Sequence, residues 1–97
     1  MARLQVEVRP GAGLKGYSLF VDGVPVAMGP GHRGEAVCEG RCGDGSRHSL
    51  IYSFYGAPGA ALTVVLSCRG REVCRLAAAP LAPDGPARDA GRTLFDL

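Results

Sequence analysis

No run of apolar residues in this chain is long enough to span a bilayer, and the opening "MARLQVEVRP" carries an early arginine with no hydrophobic stretch of the kind an export signal needs. The expectation is therefore a cytoplasmic protein without membrane insertion. Asparagine is absent, isoleucine occurs only as Ile51, and Lys15 is the only lysine, so ten of the eleven basic residues are arginine. Together with abundant Gly, Ala and Pro this composition fits a GC-rich coding sequence, as in many bacteria, and the arginine excess is read as codon bias. The formal net charge is only +2. Glu35, Glu39, Asp44 and Glu72 are interspersed among Arg33, Arg41, Arg47, Arg69, Arg71 and Arg75, without the one-sided charge and interleaved aromatics of a nucleic-acid surface, so nucleic acid is not the expected partner. Also missing are an amphipathic helix longer than a turn or two, an internal repeat and a phosphate-binding loop. "GAGLKG" and "GPGHRGE" are glycine-rich, but neither has the spacing of a P-loop or leads into a helix, and "CGDGS" offers too few oxygen ligands for a calcium loop.

What is present is alternation. In "RLQVEVR", Leu4, Val6 and Val8 fall on one face and charged or polar residues on the other, the pattern of a half-buried strand. "YSLFVDGVPVAM" reads as a hairpin about a type I′ Asp22-Gly23 turn, pairing Val21 with Val24, Leu19 with Val26 and Tyr17 with Met28. Pro25 places the returning strand at an edge or at a position that needs no ladder donor. "GPGHRGE" reads as a loop and "AVC" as a short strand. "HSLIYSFYG" has large apolar groups on both faces, with Leu50, Tyr52 and Phe54 on one and Ile51 and Tyr55 on the other, which predicts a central or covered strand. "ALTVVLSC" turns Leu62, Val64, Leu66 and Cys68 inward. A three-residue "RGR" loop into "EVCRLA" places Leu66 opposite Cys74, Val64 opposite Leu76 and Cys68 beside Glu72.

The 97 residues fit one domain, which buries roughly 60 to 70% of its unfolded surface. The predicted fold is a small antiparallel β-sandwich or open barrel of about seven short strands over residues 1–79. Residues 80–97 form a Pro/Gly-rich linker holding Pro80, Pro83 and Pro86, followed by an apolar end, "TLFDL".

Chemistry concentrates in "CEGRCGDGSRH", residues 38–48. Cys38, Cys42, Cys68 and Cys74 offer four thiols as C-x3-C and C-x5-C pairs, which supports three readings: a structural zinc site with arginines offsetting the thiolate charge, a Cys38–Cys42 bond or other disulfides, or unligated thiols packed as small apolar groups. Cys42 with His48 as base and Asp44 as orienter is the thiol-enzyme alternative, but a glycine-rich loop is a poor platform for it, and no substrate pocket for a small molecule is legible. Non-catalytic contact is the expectation, with no cofactor and zinc as the alternative. The candidate interaction residues are Thr93, Leu94, Phe95 and Leu97 at the apolar end and Ile51 and Tyr55 on the two-sided strand. That end can pair with another chain or dock back onto its own sheet edge.

The order "FVDGVPV", loop, "GDGSRHSLIYSF" resembles PEGA-like and Ig-like small β-sandwich accessory domains, on Val21, Asp22, Gly23, Val26, Gly45, His48 and Leu50, over about a third of the chain. The resemblance implies a non-catalytic sandwich used for contact with a protein partner or with a second copy.

Overall fold

The computed structural model describes residues 1–79 and 87–97. Among them the chain forms β1 (Ala2–Pro10), β2 (Leu14–Val21), β3 (Val24–Pro25), β4 (Ala27–Gly29), β5 (Arg33–Cys38), β6 (Arg47–Gly56), β7 (Leu62–Cys68), β8 (Arg71–Ala78) and β9 (Ala87–Asp96). A five-stranded sheet runs β4-β5-β1-β7-β8 and a four-stranded sheet runs β3-β2-β6-β9, with every pairing antiparallel. The result is a sandwich of two separate sheets, within the predicted class and with two strands more than the sequence had indicated.

The inward residues are those the alternation selects. Leu4, Val6 and Val8 of β1, Leu19 and Val21 of β2, Leu50 and Phe54 of β6, and Leu62, Val64 and Leu66 of β7 are all buried in one core. Each such side chain is worth roughly 1.5–3 kcal/mol in area removed from water. β6 lies centrally between β2 and β9, as predicted, but only its inner face is covered, leaving Ile51 and Tyr55 exposed on the outer one.

Four local expectations need correction. The first hairpin has the predicted turn, with Asp22 at φ 49° and Gly23 at φ 81°, and pairs Val21 with Val24. The Val26 amide still donates to the Leu19 carbonyl at 2.9 Å, but the chain then crosses to the other sheet. Met28 consequently lies opposite Gly34 of β5, not Tyr17, and a Cβ at Gly34 would run into the Ala27 carbonyl and the Met28 sulfur. Glycine at that position is what permits the close approach. Second, Arg33, Gly34 and Glu35, assigned to a loop, begin β5, which pairs along β1 from Ala2↔Cys38 to Glu7↔Arg33. Only Pro30–His32 form a short 3₁₀ turn before it.

Third, the β7–β8 hairpin turns on two residues, Arg69 at φ 51° and Gly70 at φ 78°, with a register shift between Leu66 and Ser67. The bulge preserves the predicted Leu66↔Cys74 and Val64↔Leu76 pairs while moving Cys68 opposite Arg71 and Glu72 opposite Ser67. Fourth, residues 87–92, expected as linker, belong to β9, which pairs with β6 from Gly56↔Ala87 to Arg47↔Asp96. The remainder of that expected linker, residues 80–86, lies outside the described residues.

Candidate functional site

Two places on the molecule combine exposed position with unusual chemistry. The first is the end of the sandwich where the β2–β3 turn, the end of β5, the loop 39–46, the start of β6 and the C-terminal residue converge. Loop 39–46 is a well-tied segment. A disulfide joins Cys42 to Cys68 at the end of β7, with 5.8 Å between the Cα atoms. The Gly43 amide donates to the Leu97 carbonyl at 2.8 Å, and the Leu97 amide donates to the Ser46 carbonyl at 2.9 Å. Asp44 closes the turn from within, its Oδ2 accepting the Arg41 amide at 2.8 Å and its Oδ1 accepting the Ser46 amide at 2.8 Å and the Ser46 hydroxyl at 2.6 Å. These bonds, the Ser46 hydroxyl first and the Arg41 and Ser46 amides after it, hold the Asp44 carboxyl down at about 2.

Behind this turn sits His48, the buried polar residue of the core at 7% exposure, packed near the Phe95 ring with 5.8 Å between centroids. Its inward orientation follows from strand parity, since residues 48, 50 and 54 of β6 share the inner face. A buried imidazole needs partners on both ring nitrogens. Nδ1 lies 2.5 Å from Asp22 Oδ2, and Nε2 lies 2.9 Å from Ser46 Oγ. Asp22 Oδ1 accepts the Ser49 amide at 2.9 Å, so the carboxylate that shapes the I′ turn also clamps it to β6. Burial pushes the Asp22 carboxyl up, but the hydrogen bonds from His48 and from the Ser49 amide outweigh that and hold it below its ordinary value. Cys38 completes the group: its sulfur, the His48 nitrogen and an Asp22 oxygen all lie within 4.8 Å of one another. Burial, then the nearby Asp22 and Asp44 charges, push the Cys38 thiol up.

The chain Asp22–His48–Ser46 has the connectivity of a nucleophile triad, but its hydrogen-bond polarity is reversed. Asp44 is an ionised acceptor, so the single Ser46 hydroxyl proton points to Asp44 and away from His48, whereas an activated serine donates to the imidazole. The thiol-enzyme arrangement is likewise not assembled, because Cys42 is in the disulfide and Asp44 reaches Ser46 instead of His48. Nor do the four cysteines converge as zinc ligands. Cys42 and Cys68 are bonded to each other, while Cys38 at the end of β5 and Cys74 in β8 are free. Cys74 faces Leu66 across the hairpin, and burial, with the Glu72 charge second, pushes its thiol up.

The second place is the outer face of the four-stranded sheet. There Phe20, Ile51 and Arg92 form one cross-strand row, Ser18, Ser53 and Ala90 the next, and Gly16, Tyr55 and Arg88 a third. Ile51 is 38% exposed, Tyr55 55% and Leu94 49%. The Tyr55 ring lies across Gly16, where a Cβ would come within 2.6 Å of it, and a shallow depression of about 700 Å³ opens beside the ring over Ser18, Ser53 and Ala90. Of the candidate interaction residues at the apolar end, Phe95 and Leu97 dock into the molecule's own core, Thr93 is half-buried, and Leu94 points outward.

Sequence reasoning missed the Asp22–Cys38–His48 cluster. One signal was available: His48 shares the parity of Leu50 and Phe54, which places it inside and in need of partners. No protein-family model, curated protein or solved structure matches this chain.

Proposed function

We propose that this protein is a non-catalytic interaction module that meets a protein partner, or a second copy of itself, through the outer face of its four-stranded sheet. The observation that carries the reading is the exposure of Ile51, Tyr55 and Leu94 on that face. On the five-stranded sheet the outward positions of β1 are Arg3, Gln5, Glu7 and Arg9, and ion pairs link Arg3 to Glu35, Arg9 to Glu7 and Arg75 to Glu72. Rigid aromatic and aliphatic groups beside an arginine are the composition of contact hot spots. Arg88 and Arg92 on the same face favour an acidic rim on the partner.

Light scattering coupled to size-exclusion chromatography tests self-association, and a photo-crosslinking residue at position 55 tests a heterologous partner in cells. A species larger than the monomer that is lost in Ile51→Thr with Leu94→Thr supports the reading. A concentration-independent monomer, together with no crosslinked protein at position 55, sinks it.

The compartment bears on the same reading. A cytoplasmic location, expected from the sequence, requires the Cys42–Cys68 bond to persist under reducing conditions, where disulfides are rare, so an oxidising compartment fits the pair better. Thiol trapping in cells followed by intact mass distinguishes the two. The disulfide also favours a second reading as a redox-responsive module, in which reduction frees the loop at the end of the sandwich. That reading predicts that partner binding changes on mild reduction and is abandoned if binding does not.

A further inference from the structure

Three donors of the kind that bind metals meet at the end of the sandwich behind loop 39–46. His48 is buried, its Nδ1 lies 2.5 Å from Asp22 Oδ2, and its Nε2 lies 2.9 Å from the Ser46 hydroxyl, which itself donates to Asp44 Oδ1 at 2.6 Å. Cys38, buried and outside the disulfide, completes the group, with one donor atom from each of Asp22, Cys38 and His48 within 4.8 Å of the others. A hydrogen bond between imidazole and carboxylate needs no thiol beside it, whereas a metal ion uses all three donor types.

We propose that Asp22 Oδ2, Cys38 Sγ and His48 Nδ1 form a binding site for a zinc-class divalent cation. The donor set of one sulfur, one imidazole nitrogen and one carboxylate oxygen is the mixture such ions take. The three donors come from the β2–β3 turn, the end of β5 and the start of β6, so the sandwich itself brings them together and the flexible side chains need little rearrangement. Metal-ligand distances of about 2.0–2.3 Å require the Nδ1 and Oδ2 atoms to part to about 3.3 Å, a small side-chain rotation for a carboxylate exposed on a turn. Asp22 Oδ1 stays on the Ser49 amide, which orients Oδ2 toward the site.

The outer partners fit as well. A metal-bound imidazole ordinarily donates its remaining N–H to an oxygen that is itself held in place. Here Nε2 lies 2.9 Å from the Ser46 hydroxyl, which is anchored on Asp44. Asp22 and Asp44 bring two carboxylates to this end of the sandwich, negative charge that favours a cation beside Cys38. On binding, the ion displaces the thiol proton and the proton between Nδ1 and Oδ2. The site becomes one dication balanced by one thiolate and one carboxylate, with solvent on the Asp22 side as the remaining ligand.

Cobalt(II) titration of the full chain with its disulfide intact is the test, since sulfur ligation gives a charge-transfer band that oxygen and nitrogen ligands do not. The expected result is one cobalt per chain with a thiolate band and tetrahedral visible bands, displaced by zinc. Cys38→Ser should remove the thiolate band, Cys74→Ser should leave it intact, and Ser46→Ala should weaken binding about tenfold or more. Wild-type protein that gives no thiolate band overturns the proposal whatever the variants do. So does a band that survives Cys38→Ser.

Discussion

The two sheets are built alike on the inside and differently on the outside. Strands β1 and β7 of the five-stranded sheet and β2 and β6 of the four-stranded sheet contribute equivalent rows of Leu, Val and Phe to one core. On the outside, the five-stranded sheet covers Val65 between Glu7 and Arg75, its cross-strand neighbours, so that it is only 6% exposed, and among the described residues leaves Val37 of β5 as its one exposed large apolar side chain. Long charged side chains do this by laying their stems over apolar surface. The four-stranded sheet leaves Ile51, Tyr55 and Leu94 open beside the small residues Ser18, Ser53 and Ala90. Folding requires only the inner rows, so the outer difference is free to serve function.

The largest test of the comparison addresses what the sheets share. Leu4→Ala in one sheet and Leu50→Ala in the other, both fully buried, should each cost about 2–5 kcal/mol by urea unfolding. A loss near zero for either would mean that its sheet is not an equal half of the core. Replacing both Cys42 and Cys68 by Ser, which opens a link across 26 residues, should cost about 2–4 kcal/mol. The far-ultraviolet spectrum should stay that of a β protein, because every core strand remains.

Acid separates the two regions electrostatically. A carboxyl whose folded value lies below its unfolded one stabilises above the unfolded value and loses that contribution as pH falls through the folded one. For Asp44 that window runs from 3.8 down to about 2, and Asp22 acts with the same sign. Glu7 and Glu72 on the other sheet are also held low, by hydrogen bonds from Arg9 and Arg75 and by the charges of those arginines. The Asp44 effect comes from bonds to the neutral Ser46 hydroxyl and to amides, so it should persist at ~1 M salt, where the exposed arginine contributions are screened. Asp44→Asn should flatten the acid limb of the stability curve at high salt, and an unchanged limb would remove Asp44 from the account.

The smallest stability effects belong to the outer faces. Arg75→Gln and Glu35→Gln should shift unfolding by no more than about 0.5 kcal/mol, as exposed ion pairs do. Ile51→Thr and Leu94→Thr should cost within about 1 kcal/mol. Only the second pair should abolish association, and equal losses of binding from both pairs would erase the functional distinction between the sheets.

The local pattern was legible wherever a single strand decided it. The inward rows of β1, β6 and β7, the Asp22-Gly23 turn and the edge position of Pro25 all follow from alternation and from two residues' backbone preferences. Illegible were the features that depend on partners distant in the chain. The crossing after Val26 rests on Gly34 accepting a neighbour, β9 is a strand because β6 offers it a ladder, and Cys42 pairs with Cys68 because two loops meet at one end of the sandwich.

The sequence by itself determined an all-β sandwich or open barrel and which side chains of β1, β6 and β7 enter its core, because burial parity repeats every second residue and needs no knowledge of the neighbours. The tertiary structure alone decided which cysteines bond, which face stays open and that Asp22, Cys38 and His48 converge. Those outcomes depend on distances of a few ångströms between segments as many as 26 residues apart, and no local periodicity encodes them.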